Sequence, residues 1–233
     1  MERATHDPAR AETVAIMQPY FAPYAGYFRL AAASDLFVIY DCVQFPRRGW
    51  VHRNRLPNAN GELEWLTLPL EKAPRDILIR DLAFRDDAAG ALDAQARRFP
   101  LLAAAQPDPH GLIDAFRDLG GTPVDYMERL LERAAVALGI PWRTVRSSSL
   151  GVPADLHAQD RIIAIASAVG ARRYVNAPGG RELYEGDRFT GAGLELRFLG
   201  DYAGSFASIL ARLLQEPAEA VADEIAANTT LSA

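Results

Sequence analysis

The chain has 233 residues, of which 49% are hydrophobic and 24% charged, and its formal net charge is −5. This length is expected to form one α/β domain, or one domain with a small appendage, around a sizeable core. The acidic balance argues against a protein that binds nucleic acid or anionic membranes through its overall charge, so any anion site must be local. A single cysteine, Cys42, excludes an internal disulfide and favours a reducing compartment, and we expect a cytoplasmic protein.

The start of the chain lacks the apolar core of a signal peptide, and residues 1–12 are predicted to form a disordered leader. No stretch approaches about eighteen uninterrupted apolar residues, so no membrane span is predicted. The four histidines show none of the spacings typical of a metal site, which leaves metal catalysis without positive support.

Two apolar runs, residues 14–17 and 36–40, flank a segment over 24–33 that is apolar on most faces. This pattern is typical of a buried strand, a short helix and a second buried strand, which together form a parallel βαβ unit. Ligands of such units bind beyond the carboxyl ends of the strands. Gln18 and Tyr20 follow the first strand, and Asp41 and Gln44 follow the second. Gly26, early in the helix, indicates a close approach of backbone or ligand, or a simple helix–sheet contact.

A dense cationic cluster follows the second strand. Around Trp50 it contains Arg47, Arg48, His52, Arg53 and Arg55. Alternation from Trp50 predicts Trp50, His52 and Asn54 on one face, and Val51, Arg53 and Arg55 on the other. Residues 57–61 have the composition of a hairpin turn, 64–70 are predicted to return as a strand, and 77–84 to add another.

Arginines near strand ends bind phosphate or carboxylate through paired hydrogen bonds. We therefore expect the hairpin and the strand ends to face one pocket that takes a phosphorylated small molecule, such as a nucleotide, a nucleotide-sugar or a pantetheine arm. A solvated basic hairpin face is the alternative. The acidic remainder of the chain argues against nucleic acid as the ligand.

From residue 87 the apolar period becomes helical, which predicts a helical insertion over 87–139 with helices at 88–99, 112–119 and 123–138. Thr122 and Pro123 form a helix-start signal, and Gly139 a stop. Strands are predicted at 140–145, 173–176 and 194–199, and helices at 155–169, 205–214 and 217–227. The predicted fold is a three-layer α/β domain over 13–215, Rossmann-like at its start with an antiparallel hairpin excursion, followed by a peripheral helix and tail over 216–233.

The chemistry of the candidate site is expected to centre on Asp41, which as a residue at a strand's carboxyl end suits a general base or a ligand of a hydroxyl group. Cys42 alternates to the opposite side and has no identifiable histidine partner, which weighs against a nucleophile. The glycine pair at Gly179 and Gly180 precedes a predicted short helix, where free N–H groups favour an anion, although a tight turn needs the same residues. The candidate catalytic residues are Asp41, Gln18 and Gln44, and the candidate substrate-binding residues are Tyr20, Tyr24, Gly26, Tyr27, Arg47, Arg53, Asn54, Arg55, Lys72, Asn176, Gly179, Gly180 and Tyr184.

Several of these stretches resemble a known family. They are VAIMQPYFAPYAGYF (14–28), DLFVIYDCVQF (35–45), RGWVHRNR (48–55), WLTLPL (65–70), SSSL (147–150), YVNAPGGRELY (174–184) and SILARLL (208–214). Over residues 13–215 the chain is similar to the WbqC-like protein family. Cys42 stands where that family usually has Asp, and His52 where Asn is common, which counts against either as an obligatory catalyst. A fold-level likeness places Tyr24 and Tyr27 where Rossmann-like nucleotidyltransferases have the two histidines of His-x-Gly-His, which puts adenylyl transfer in doubt.

The resemblance implies a role in surface-polysaccharide (O-antigen) or natural-product biosynthesis. In that setting we expect a transferase that moves an acyl or aminoacyl group from a thioester or other activated donor to an amine, such as that of an amino sugar. Acyl-CoA, the phosphopantetheine of a carrier protein or a nucleotide-sugar would be the substrate, and an acyl carrier protein a possible partner. The alternatives are a glycosyltransferase-like enzyme acting on a nucleotide-sugar, and a non-catalytic module that binds a carrier protein or a nucleotide-sugar.

Overall fold

The computed structural model of the protein describes residues 11–103 and 107–232. The predicted leader falls almost wholly outside these residues. Within them, no helix is long and apolar enough to cross a membrane.

Eight strands and nine α-helices are formed by the described residues. The strands are β1 (Thr13–Met17), β2 (Leu36–Ile39), β3 (Arg53–Pro57), β4 (Leu63–Thr67), β5 (Thr144–Arg146), β6 (Arg173–Asn176), β7 (Glu195–Leu199) and β8 (Leu231–Ser232). The helices are α1 (Phe28–Ala32), α2 (Ala88–Ala96), α3 (Pro100–Ala103), α4 (Leu112–Arg117), α5 (Pro123–Ala137), α6 (Ala158–Ala168), α7 (Gly186–Gly191), α8 (Ile209–Gln215) and α9 (Ala218–Asn228). Short 3₁₀ turns at Ala25–Tyr27, Ile79–Asp81, Ser147–Ser149 and Pro178–Leu183 complete the regular structure.

The central sheet has the order β5-β2-β1-β6-β7-β8, parallel throughout except for the last strand, which pairs antiparallel with β7. The chain moves outward from β1 to β2 and β5, then returns to β6 on the other side of β1. This is the doubly wound order that places ligands at the carboxyl edge of the sheet. β1 and β2 pair from Val14 with Leu36 to Met17 with Ile39, which confirms the predicted parallel βαβ start.

Helices cover both faces of the sheet, so the fold has three layers. Ala15, Phe37 and Val175 belong to the larger core, which includes residues of α1, α5, α8 and α9. Val14, Val38 and Tyr174 belong to the smaller core, which they share with residues of α6 and α7. Because β1 and β2 are covered on both sides, their sequences read as continuous apolar runs rather than as alternating ones.

The hairpin β3–β4 is separate from the central sheet, as predicted, and pairs antiparallel from Arg53 with Thr67 to Pro57 with Leu63. The predicted faces are wrong for Trp50. Asn54 and Leu66 are buried opposite each other, whereas the Trp50 ring lies 5.4 Å from that of Trp65, on the side of the hairpin that carries the arginines. The strand begins only at Arg53, so the alternation does not extend back to Trp50.

Two other predicted elements differ from the structure. The strand expected over 77–84 is a 3₁₀ turn at Ile79–Asp81 flanked by isolated bridges, Leu78 with Gln44 and Phe84 with Leu70. The peripheral helix expected after residue 216 is instead part of the core, because α9 buries Val221 and Ile225 completely or nearly so.

The helical stretch between the hairpin and β5 packs into the larger core through residues such as Leu92, Phe116 and Leu131. Its longest helix, α5, begins with the predicted signal: Thr122 accepts from the backbone N–H of Asp125, and the Asp125 carboxylate accepts from the backbone N–H of Thr122 at 2.7 Å. These reciprocal bonds satisfy donors that a helix start otherwise leaves unpaired.

Candidate functional site

A cavity of about 350 Å³ opens at the carboxyl ends of β2 and β5. Its walls come from the segment after β2, the turn after β5 and the amino end of α6. The polar or ionisable side chains that line it are those of Tyr40, Cys42, Gln44, Arg80, Ser147, Ser148, His157 and Arg161. A volume of this size suits a small molecule, and the carboxyl edge of a parallel sheet is where such ligands bind.

Asp41 lies beneath this cavity, only 1% exposed. Its Oδ1 accepts hydrogen bonds from the Ser147 hydroxyl and from the Ser148 backbone N–H, both at 2.9 Å. Its Oδ2 accepts from the Ser148 hydroxyl at 2.6 Å. The carboxylate is thus held by three donors from the turn after β5, and a ligand in the cavity reaches it through the Ser148 hydroxyl.

Ser147 ties the ends of β2 and β5 together. Its Oγ accepts from the backbone N–H groups of Asp41 at 3.1 Å and Cys42 at 3.3 Å, and it lies 3.1 Å from the Cys42 Sγ. The side chain is buried, so these bonds are shielded from water. The serine turn and the segment after β2 therefore form one preorganised wall of the cavity.

Two arginines line the cavity, and they differ in how firmly their guanidinium groups are held by other residues. The Arg161 guanidinium donates to the Cys42 carbonyl at 2.8 Å, and also to the carbonyls of Leu156 and Ala154, so it holds the wall together. Arg80 is exposed, and its ion pair with Asp81 is a loose 3.6 Å contact in solvent. Arg80 is therefore the cation best able to turn to an anionic ligand.

Tyr40 and Cys42 complete the floor of the cavity. Burial raises the pKa of Tyr40 above its usual range, and the neighbouring Cys42 adds to the rise, so the phenol keeps its proton. Cys42 is a half-buried free thiol. At the opposite wall, the side chain of His157 is exposed next to Ala158, which starts α6 in the left-handed region at a φ of 45°.

The predicted arginines of the hairpin do not line this cavity. Arg47 donates to the carbonyls of Ala73 and Pro74, the latter at 2.8 Å. The Arg53 guanidinium lies 4.2 Å from the centre of the Trp65 ring, and that of Arg55 lies 5.4 Å from the same ring. The expectation that hairpin arginines and strand ends share one pocket is therefore wrong.

Asn54 and His52 have local contacts instead. The Asn54 amide donates to the carbonyls of Phe21 and Ala22, the second at 2.5 Å, which fastens the hairpin to the loop after β1. Burial lowers the pKa of His52 to about 4, with a further contribution from Arg53, so the imidazole is neutral near pH 7. Its Nδ1 is buried without a hydrogen-bond partner among the described residues.

The end of β1 is filled by aromatic side chains. The hydroxyl of Tyr27, which is buried, donates to the Gln18 carbonyl at 2.8 Å, and the Tyr20 ring lies 5.5 Å from that of Tyr27. Burial raises the pKa of Tyr20 and of Tyr27 above the usual range.

Gly26 lies against a second aromatic group. The Tyr24 ring packs 5.2 Å from that of Tyr202 and 5.1 Å from that of Phe206. A Cβ at Gly26 would lie 2.2 Å from the Tyr24 ring and 3.0 Å from the Tyr202 ring. The close approach that this glycine predicts is made by the protein's own side chains.

The residues at the end of β6 also contact one another. A Cβ on Gly180 would lie 2.1 Å from the Asn176 amide nitrogen, whereas one on Gly179 would meet nothing within 4 Å. The same Cβ on Gly180 would lie 3.4 Å from the Tyr184 ring, which packs 5.9 Å from the Tyr174 ring. Lys72 lies apart, in a shallow depression formed with Arg85, Asp86 and other residues.

The family model of the WbqC-like protein family matches residues 18–206. This match covers most of the chain, and it includes the ends of β1, β2, β5 and β6. The chain belongs to the WbqC-like protein family. Over 58 residues this WbqC-like protein is 45% identical to the uncharacterized protein Rv1507c of Mycobacterium tuberculosis (strain ATCC 25618 / H37Rv). The match covers 25% of each chain. No solved structure was found to match.

Of the predicted site residues of this WbqC-like protein, Gln44 lines the cavity and Asp41 lies directly below it. Ser148, Arg80 and Arg161 also line the cavity, and none of them is among the predicted site residues. The three consecutive serines after a predicted strand were a signal for the first. The two arginines gave none, because each stands alone in its stretch of sequence.

Proposed function

We propose that this WbqC-like protein is a transferase whose active site is the cavity beside Ser148. In this proposal it moves an acyl or aminoacyl group from a thioester or other activated donor to an amine. The observation that carries the proposal is the pairing of the Ser148 hydroxyl, which lines the cavity, with the buried Asp41 carboxylate at 2.6 Å. A buried carboxylate behind a hydroxyl is an arrangement that takes up a proton from a reacting group.

In the proposed reaction the amine nitrogen attacks the carbonyl carbon of the thioester, so that a C–N bond forms and the C–S bond breaks. The amine proton passes to Ser148 Oγ while the Ser148 hydroxyl proton passes to Asp41 Oδ2. The thiolate that leaves then recovers this proton as the relay runs in reverse. The products are an amide and a thiol, and no covalent intermediate with the protein is needed.

Substrate binding would rest on Arg80 and Gln44. Arg80 is exposed at the cavity wall, and a guanidinium binds phosphate through paired hydrogen bonds. The Gln44 amide nitrogen donates to the Arg75 carbonyl at 2.7 Å, which leaves its oxygen as an acceptor for the substrate. The phosphates of acyl-CoA, of a carrier protein's phosphopantetheine or of a nucleotide-sugar acceptor supply the anion.

The setting we propose is the assembly of a surface polysaccharide, such as O-antigen, or of a natural product. Activated thioesters and nucleotide-sugars are made in the cytoplasm, so the proposal includes a cytoplasmic location. If the group transferred were a sugar, the same relay would deprotonate an acceptor hydroxyl, and nucleotide-sugars therefore belong among the donors to be tested.

A second candidate is a non-catalytic module that binds a nucleotide-sugar or a carrier protein. The observation that favours it is the completeness of the hydrogen bonding at Asp41, whose two oxygens are both occupied by Ser147 and Ser148. If the carboxylate only holds the ends of β2 and β5 together, that structural role explains its position without any part in a reaction.

A ligand screen followed by turnover assays separates the two candidates. At about one hundred times its Kd, a ligand adds roughly 2.7 kcal/mol to the free energy of unfolding, which a thermal-shift screen of acyl-CoA compounds and nucleotide-sugars detects. For a ligand found this way, Arg80→Ala is expected to abolish the shift. Ser148→Ala and Asp41→Asn are expected to retain it.

With an amine acceptor added, Ser148→Ala is expected to lose at least about a hundredfold in kcat, the usual range for removal of a proton relay. Ser149→Ala is the matched control, because its hydroxyl is exposed and donates to the Arg146 carbonyl at 2.8 Å. Equal turnover in the two serine variants would refute the relay. Binding without turnover under every donor and acceptor would support the binding module.

A further inference from the structure

The outer side of the hairpin carries an exposed surface formed by Trp50, Arg53, Arg55 and Trp65, which we call the tryptophan–arginine face. We propose that this face docks the acidic surface of a carrier protein, which brings a phosphopantetheine thioester to the cavity. The inference rests on the proposed function, for which it names the source of the donor.

The tryptophan–arginine face is exposed and preorganised. Trp50 and Trp65 are 41% and 37% exposed, high values for side chains of this size. The Arg55 guanidinium lies 5.8 Å from the centre of the Trp50 ring and 5.4 Å from that of Trp65, so it lies beside both rings, whose centres are 5.4 Å apart. The Arg53 guanidinium stacks on Trp65 and donates to the Arg48 carbonyl at 2.9 Å.

The other side of the hairpin is fixed to the protein. Leu56 and Leu66 are fully buried in the larger core, and the Asn54 amide holds the carbonyls of Phe21 and Ala22. Such a hairpin loses little conformational freedom when its outer side is covered by a partner. Rigid aromatic and arginine side chains of this kind dominate the energy of protein interfaces.

The charge of the tryptophan–arginine face is opposite to that of the chain as a whole, which is −5. Among the described residues, no hydrogen bond or ion pair involves the Arg55 guanidinium. The carboxylate of Glu64, next to Trp65 in β4, is paired with Arg98 rather than with the arginines of the face. Arg55 therefore retains its donors for carboxylates of a partner.

A protein partner fits these features better than a nucleic acid. The acidic remainder of the chain repels a polyanion that extends beyond the face, whereas a compact acidic surface meets only the face itself. Tryptophan and arginine are also among the residues most enriched at the energetic centres of protein–protein interfaces.

The connection between the tryptophan–arginine face and the cavity favours a partner whose acyl donor is attached through a flexible phosphopantetheine arm. Gln44 lines the cavity, Arg47 is fixed to the carbonyl of Pro74, and the chain continues directly to Trp50 and Arg53. The face and the cavity are thus at the two ends of one short, anchored segment. A carrier protein seated on the face leaves the cavity free for its thioester arm.

The test measures binding of a purified acyl carrier protein, bearing phosphopantetheine, to the full chain by calorimetry and by tryptophan fluorescence. Arg55→Glu and Trp65→Ala are each expected to weaken binding at least tenfold, and raising the salt concentration to weaken binding to the unmodified chain. Arg172→Glu is the matched control, because it makes the same charge change on an exposed residue just before β6, at the opposite end of the sheet. The melting temperature of each variant confirms that it is folded.

Unchanged binding in both face variants would overturn the inference, as would absence of binding to the unmodified chain. The inference would also be overturned if the unmodified chain bound single-stranded nucleic acid or anionic vesicles but not the carrier protein, and if the face variants lost that binding. The face would then belong to another partner. The proposed function fails separately: carrier binding through the face with no turnover leaves the docking surface standing. If Arg55→Glu still turned over a CoA thioester but no longer turned over the carrier thioester, both the proposed function and the docking surface would be supported.

Discussion

Replacing Ser147 by alanine is predicted to destabilise the protein more than the same change at Ser149, in the same turn. The substitution leaves the backbone N–H of Cys42 without its acceptor at 3.3 Å, whereas the N–H of Asp41 keeps the Ile39 carbonyl at 3.0 Å. It also removes one of three donors to the buried Asp41 carboxylate. An unpaired buried donor costs about 1–3 kcal/mol and a lost bond to a charged group about 1.5–3 kcal/mol. Because Cys42 is only half-buried, we expect a total of about 3 kcal/mol.

For a chain of 233 residues, a loss of this size lowers Tm by about 6–12 °C. Differential scanning calorimetry measures the shift, and urea unfolding provides the free energy independently. Ser149→Ala is the control, since its exposed hydroxyl makes one bond to the Arg146 carbonyl, and we expect a change within about 0.5 kcal/mol. If the two variants melt at the same temperature, Ser147 does not join the ends of β2 and β5 as described.

Three further predictions test the packing of the protein outside the cavity. Gly26→Ala is expected to destabilise the protein by about 1–3 kcal/mol, because the added Cβ meets two aromatic rings. Gly90→Ala, in open space on α2, is expected to stabilise the protein by about 0.5–1 kcal/mol. Thermal unfolding of the two variants tests both expectations. Burial lowers the pKa of His52 to about 4 from its usual 6.5, so the folded state binds protons less readily than the unfolded chain. The free energy of unfolding should therefore decrease as the pH falls from about 6.5 towards 4, and His52→Phe should flatten that part of the curve. Asn54→Ala is expected to cost about 2 kcal/mol and to speed hydrogen exchange in the hairpin, because the Phe21 carbonyl loses its donor and the Ala22 carbonyl keeps only the Ser208 hydroxyl. Exchange rates equal to those of the unmodified protein would contradict this.

The start of the fold was predictable from the sequence because its signals are local. The apolar runs of β1 and β2 reflect burial on both faces, and the capping signal at Thr122 needs only neighbouring residues. The cluster of arginines was visible from neighbouring residues too. The side of the hairpin on which each residue lies, however, depends on where β3 begins. A bend over residues 50–52 breaks the alternation, so the phase counted from Trp50 does not apply to Arg53 and Arg55.

The candidate site depends on contacts that no local pattern reveals. Asp41 meets Ser147 across 106 positions of sequence, and Arg161 reaches Cys42 across 119. Placing them together requires the order of the strands, which puts β5 beside β2 only after the hairpin and four helices have intervened. The predicted Asp41 site at a strand's carboxyl end was open to sequence reasoning. The run of three serines was visible as well, but its contact with Asp41 was not.

The position of the cavity follows from the size of the side chains at the carboxyl edge of the sheet. The topological switch point lies between β1 and β6, where doubly wound proteins usually bind ligands. Here the β1 end is packed with Tyr20 and Tyr27, and the β6 end with Asn176 and Tyr184.

Apart from Tyr40, the side chains at the ends of β2 and β5 are small, those of Cys42, Ser147 and Ser148, and the cavity opens above them. A larger side chain at Ser148 would fill this space while leaving the sheet intact. Ser148→Leu should therefore exclude a ligand that Ser148→Ala still binds, and equal binding by the two variants would show that the ligand sits elsewhere along the edge.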